Sequence, residues 1–262
     1  MEPTDKMSFW DKIAYLFQNY SVTFLNGIAS TLILAIVGTF LGLFLGIFIA
    51  LGRNIQYKET DMLITKVLKR ICKVFVSCYV NFFRGTPMMV QAMIFFFAVP
   101  VWTNMPSAWI FNGYMYCGLI VITINTAAYM AEIIRSGLNG VDIGQVEASR
   151  SLGMPYFKTM FMVIMPQAIK NSIPTILNEY IVNVKDSSVL NVIGLTELYA
   201  SVSIATNKNY FKVEGYVIIA IIYLILTLLA TFIVKLISKK LDGEKITINP
   251  FKHNKPVLKE VK

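Results

Sequence analysis

From residue 24 to residue 51 the chain carries no charged side chain, and an apolar run of that length leaves few environments in which it can fold. A helix rises about 1.5 Å per residue and the hydrocarbon core of a bilayer is about 30 Å thick, so roughly 20 apolar residues cross it. Further segments of the same kind occupy 78–100, 113–135, 167–193 and 213–237. The first, third and fifth are clear by hydropathy, whereas 78–100 contains Arg84 and 167–193 is polar along one side. Hydrophobic residues make up 56% of the chain and charged residues 15%, far from the balance of a soluble domain. The expected fold class is all-α and integral to a membrane, with about five transmembrane helices.

Orientation follows from Lys and Arg in the short connections. Arg53, Lys58, Lys66, Lys69, Arg70 and Lys73 follow the first span, and Lys239, Lys240, Lys245, Lys252, Lys255, Lys259 and Lys262 follow the last. The connector near 101–112 has no basic residue, and the one near 194–212 has only Lys208 and Lys212. The N-terminus is therefore expected outside and the C-terminus in the cytosol. The net charge of +9 reads as this topology beside anionic lipid, not as a nucleic-acid surface.

Three regions are expected: an extracytoplasmic amphipathic segment at 1–22, a transmembrane domain at 23–238 and a basic cytosolic tail at 239–262. In the first, Trp10, Ile13, Ala14 and Phe17 share one helical face; Leu63, Val67 and Ile71 do so in 59–73, on the inner side. Gly38, Gly42, Gly46 and Ala50 form a stripe of small residues four apart, which allows a second helix to approach closely in lipid. Cys72, Cys78 and Cys117 form no C-x-x-C pair, and His253 is the sole histidine, so no histidine metal site is expected.

A polar interruption of about thirty residues at 136–166 has the punctuation of a folded element. Asp142 and Gln145 have the spacing of a capping box, Gly153 suits the left-handed residue after a helix, and Pro155 opens a second helix. Glu147-Ala148, Gly153 and Pro166 in that order resemble the EAA loop of ABC importer permeases, the membrane subunits driven by separate ATPases. Phe83-Arg84-Gly85-Thr86-Pro87, Ala127 to Arg135, and Lys185-Asp186-Ser187-Ser188 resemble further blocks of the polar amino-acid branch. Departures are mild, such as Ser149 where Ala is usual and Ser187 where Thr is usual.

The resemblance implies a type I importer permease fold in the cytoplasmic membrane of a bacterium. It also implies a second permease chain, identical or related, two ATPase subunits, an extracytoplasmic solute-binding protein and an amino-acid substrate. The coupling contact would fall on Glu147, Ala148, Arg150, Gly153 and Pro166. No cofactor is expected on this chain; ATP and Mg would sit on the ATPase, since the chain has no G-x-x-x-x-G-K-S/T cradle. No nucleophile–base or metal constellation marks it as an enzyme. The alternatives are a self-contained secondary transporter, and a permease for another small amino-acid-like solute.

For the substrate pathway, a helical wheel gathers Asn171, Ser172, Thr175, Asn178, Glu179, Asn183, Lys185 and Asp186 on one face, with Val182 the exception. Ionisable groups inside a membrane face a wet cavity or a partner. Counted from a helix start near Gln167, Glu179 would lie near mid-membrane. There it would either hold an ammonium group or pair with a base such as Lys185. Thr126, Tyr129 and Asn125 are pathway candidates that helix–helix hydrogen bonding explains equally well. Arg84, beside the Gly85-Thr86-Pro87 break, attracts an anionic carboxylate, bonds freed carbonyls, or snorkels to the cytosolic interface. Glu132 and Arg135, three apart, are expected to pair, as are Glu147 and Arg150.

Overall fold

The computed structural model describes residues 7–53, 62–104 and 113–242, with side chains to residue 238. The connector at 105–112, the stretch 54–61 with Lys58, most of the 239–262 tail and His253 lie outside the described residues. Among the described residues every regular element is helical.

The first helix, α1 (Phe9–Arg53), has 45 residues, about 68 Å of helix, with no proline to interrupt it. Among the described residues of the expected 1–22 segment, Phe9 onward is continuous with the first span. Leu16 and Phe24 are buried against Leu198, Val202, Phe211 and Ile218, so the start of α1 is part of the bundle. Lys12 Nζ lies 3.3 Å from Glu214 Oε1 and 5.1 Å from the centre of the Phe211 ring.

The stripe of small residues on α1 is the seam with α5 (Tyr114–Asn139): Gly38 abuts Ile122, Gly42 abuts Thr126 and Gly46 abuts Met130. The register climbs by four on both helices, so α1 and α5 run parallel. The chain between them must return to the side from which α1 starts. The bent pair α2 (Leu63–Gly85) and α3 (Met88–Met93), which continues into α4 (Val99–Thr103), therefore makes one crossing, despite the 109° bend. Pairing of Thr126 with Asn183, and of Gly137 with Ser172, makes α8 (Met165–Asp186) antiparallel to α5. After a 3₁₀ turn at Ser187–Ile193 and a 53° bend, α9 (Leu198–Asn209) continues in that direction along α1, from Thr31 back to Tyr20. The last helix, α10 (Lys212–Asp242), pairs Glu214 with Lys12 and Tyr223 with Glu197, and so runs parallel to α1. Five crossings result. The ends of α1, α5 and α10 lie on one side. The expected connector at 194–212 is mostly the packed helix α9.

Prolines set the breaks. Thr86 is extended (φ −121°, ψ 146°), as a residue before proline must be, and α2 stops there. Pro100 and Pro166 each follow a single π turn, at Ile94–Ala98 and Met160–Ile164. A proline ring collides with the carbonyl four residues back and supplies no N–H, and the wider turn relieves both problems.

Candidate functional site

The elbow between α5 and α8 begins with α6 (Ile143–Ser151). Asp142 Oδ1 accepts the Gly144 N–H at 2.8 Å, so the cap forms. The reciprocal half of the capping box does not: Gln145 Oε1 instead accepts from Gln167 Nε2 at 3.4 Å, which ties the elbow to the start of α8. At the far end Gly153 takes φ +74°, and the Met154 N–H reaches Ser149 O at 3.1 Å, the closure that a left-handed residue permits. Pro155 caps α7 (Tyr156–Thr159), which passes through the π turn into α8 without a break. The second helix expected in the loop is thus the first turn of the fourth span. Pro166 sits at its join.

Glu147, Ala148 and Arg150 all face outward on α6, and no ion pair joins Glu147 to Arg150. Around them Ile143, Leu152 and Phe157 are strongly exposed. Ser149 turns inward, nearly buried, with its Oγ on Gln145 O at 2.7 Å. The elbow therefore has one face fixed to the bundle and one, mixed apolar and charged, open.

Where α1, α2 and α5 meet near the same side, Glu132 is ringed by three guanidiniums. Arg53 and Arg135 bond its carboxylate directly, and Arg84 lies at 3.6 Å. The expected pairing with Arg135 is present, and of the roles expected of Arg84 the bonding of freed carbonyls falls to another residue. Arg84 rests over the Tyr129 ring at 5.5 Å, and the carbonyls freed at the α2–α3 break are taken by Gln91. Gln91 Nε2 donates to Phe83 O and Thr86 O, both at 2.9 Å, while its Oε1 accepts from Asn125 Nδ2 at 2.9 Å. A buried side-chain amide thus stands in for the hydrogen bonds that Pro87 removed. Arg84 and Tyr129, with Glu132, Ser136, Asn171 and Thr175, line a polar cavity of about 270 Å³.

The polar face of α8 splits in two. Asn171, Thr175 and Asn178 are open, Glu179 and Asp186 half-buried, and all five lie on one side of the helix, which begins at the cavity. Asn183 and Thr126 do not belong to it. Both are buried, with Asn183 Nδ2 2.8 Å from Thr39 Oγ1 and 3.0 Å from Thr126 Oγ1, which clasps α1, α5 and α8 together. α8 also begins earlier in effect than Gln167, so Glu179 stands nearer its far end than the sequence count implied.

Two polar residues escaped sequence reasoning. Gln91 lies four residues beyond the Phe83–Pro87 motif, and Glu197 falls in the expected connector. Glu197 is wholly buried, its carboxylate accepting from the N–H groups of Tyr199 (2.9 Å) and Ala200 (3.0 Å) and from Tyr223 Oη (2.6 Å). An acidic residue directly before an apolar helical run was the only available signal.

Comparison with known proteins points one way. Residues 62–243 match the family model described as binding-protein-dependent transport system inner membrane component. A Rickettsia typhi chain, provisionally named glutamine transport system permease protein GlnP, is 33% identical over 236 residues, covering 90% of this chain and 96% of that one. The arginine transport system permease protein ArtQ of Bacillus subtilis is 35% identical over 189 residues, 69% of this chain and 84% of ArtQ. Among solved structures, a crystal structure of an amino acid ABC transporter with histidines superposes with a TM-score of 0.75 at 32% identity, over 90% of this chain and 99% of that one. The inward-facing MetNI methionine ABC transporter shares the fold at 18% identity, with a TM-score of 0.66 over 84% of this chain and 96% of that one. The chain belongs to the family of binding-protein-dependent transport system inner membrane components.

Proposed function

We propose that this chain is the permease subunit of an ATP-driven importer that moves a polar amino acid into the cell by alternating access. The relatives named for glutamine and arginine transport support the substrate class. The observation that carries the coupling is a continuity: the elbow helix α7 and the polar wall on α8 are one run of helix. A push on the open face of α6, at Glu147, Ala148 and Arg150, passes the turn at Gly153 and then follows a single run of helix, by way of Pro166, to Asn171, Thr175, Asn178 and Glu179.

In this reading two ATPase subunits, which carry the ATP and Mg, dock on the elbows of two permease chains. A solute-binding protein delivers the substrate to the opposite side. The N-terminus is outside and the C-terminus cytosolic, consistent with the basic residues that follow α1 and α10. The open line on α8 and the cavity beside Arg84 and Tyr129 form the pathway wall, where Glu179 offers a carboxylate to a substrate ammonium. Asn183 and Thr126 hold that wall in place. Asp186, two turns beyond Glu179 at the end of α8, continues the same face.

Uptake by the reconstituted complex with a panel of labelled amino acids tests the proposal. A polar amino acid should accumulate only with ATP. Glu179→Gln should weaken or re-tune uptake, and Gly153→Asp should leave ATP hydrolysis running without uptake. Accumulation without ATP, or only of solutes that are not amino acids, overturns it.

A further inference from the structure

The first half of α2 has a second use for its sequence. On a wheel at about 100° per residue, Leu63, Ile64, Val67, Leu68, Ile71, Val74 and Phe75 fall within about 140° of arc. Lys66, Lys69, Arg70 and Lys73 fall within about 100° on the other side. From Met62 to Gly85 there is no acidic residue. The bundle does not bury the apolar arc: Leu63 and Ile64 are more than 70% exposed, and Val80, far along the helix, is its sole buried side chain.

An arc of seven large apolar side chains does not stay in water, and four flanking cations do not stay inside hydrocarbon. A helix with both lies at the headgroup boundary, with chains below and phosphates beside it. We infer that residues 63–75 are a docking surface for anionic phospholipid. The apolar arc sinks among acyl chains while Lys66, Lys69, Arg70 and Lys73 gather headgroup phosphates. Because α2 carries Arg84 in its last turn, before the break at Thr86–Pro87, a lipid shell held here sits at the base of the element that pairs with Glu132. The charge pattern favours lipid over a protein partner: a protein interface is depleted of lysine, whereas a headgroup layer draws on each cation separately.

The test places Ile64→Trp in the full-length chain, with Trp10, Trp102 and Trp109 replaced by Phe, in nanodiscs of mixed phosphatidylglycerol and phosphatidylcholine. Either lipid is brominated in turn, so that quenching reports which one surrounds the helix. Quenching by the brominated phosphatidylglycerol is expected to exceed that by the choline lipid by about threefold or more, given about one such factor or better per cation near an anionic surface. The excess should shrink as salt rises from 0.05 to 0.5 M. Replacing all four basic residues with Gln should bring the ratio to about one, while swapping each Lys for Arg and Arg70 for Lys should preserve it. Equal quenching by both lipids, a preference that survives the Gln replacements, or no quenching by either lipid overturns the inference. The last result would place water or a protein over the arc.

Discussion

The seam between α1 and α5 gives a prediction whose size can be worked from contact distances. In Gly42→Ala the new Cβ stands 2.8 Å from both Cβ and Cγ2 of Thr126 and 3.3 Å from the Ala127 nitrogen. Carbon atoms pack at about 3.5–4.0 Å, so the helices must part by roughly 1 Å along a straight seam. Overpacking of that kind costs about 1–3 kcal/mol. Thr126 also holds the hydrogen bonds to Asn183, and loosening them adds about 0.6 kcal/mol, the average for such bonds between membrane helices. Alanine gains up to about 1 kcal/mol over glycine in helix propensity, which would blur the result in isolation. Gly85→Ala is the control for space: nothing lies within 4 Å of its new Cβ, and at the last residue of α2 it receives only part of that gain. The difference between the two variants should therefore be about 1–3 kcal/mol, Gly42→Ala the less stable. Equilibrium unfolding of the purified chain in mixed micelles with rising sodium dodecyl sulfate measures it. If the two variants unfold together, the close seam, and with it the parallel register, is wrong.

Other outcomes follow from the buried polar groups. Gln91→Leu, close in volume, strands the Phe83 and Thr86 carbonyls and the Asn125 amide, and should cost about 2–4 kcal/mol in the same unfolding measurement. Glu132→Gln leaves three guanidiniums facing one another, so the variant's unfolding midpoint should rise with added sodium chloride, the reverse of the parent's response. Glu197→Gln puts an amide donor against four donors. It should destabilise by about 2 kcal/mol or more, with Tyr223→Phe losing about 1 kcal/mol.

Much of the architecture was legible because lipid is a demanding solvent. Spans of apolar residues announced the crossings, the Gly38–Gly42–Gly46 stripe announced a close helix contact, and Gly153 announced its own left-handed turn. Boundaries were another matter. Hydropathy does not report where a helix ends once it leaves the membrane, so α1 continued through the supposed amphipathic segment and α7 merged with the fourth span. The helix α9 was read as a connector because its sequence mixes Ser, Thr and Asn with Ala and Val. Its fixing point is Glu197, whose partners lie on α1 and α10, far away in sequence.

The candidate pathway was harder to read, and α8 shows why. Asn178 and Asn183 are the same residue type five positions apart, about 140° around the helix, at the two edges of its broad polar arc. A wheel assigns both to a wet surface. Asn183 is nevertheless buried because Thr39 and Thr126 stand opposite it, two hydroxyls that satisfy an amide more tightly than water would. Asn178 meets no such neighbour and stays open. Polarity within a membrane helix therefore announces that a partner exists but not whether the partner is a side chain or a passing solute. Only the packing of α1 against α5, set by glycines more than a hundred positions earlier, decides between them. The same reasoning separates Arg84 from Gln91. Both flank the Pro87 break, and either could have satisfied the freed carbonyls. Gln91 does so because an uncharged amide is cheaper to bury. Arg84 stays at the rim of the cavity, partly exposed, where its charge keeps contact with the Tyr129 ring and the Glu132 carboxylate.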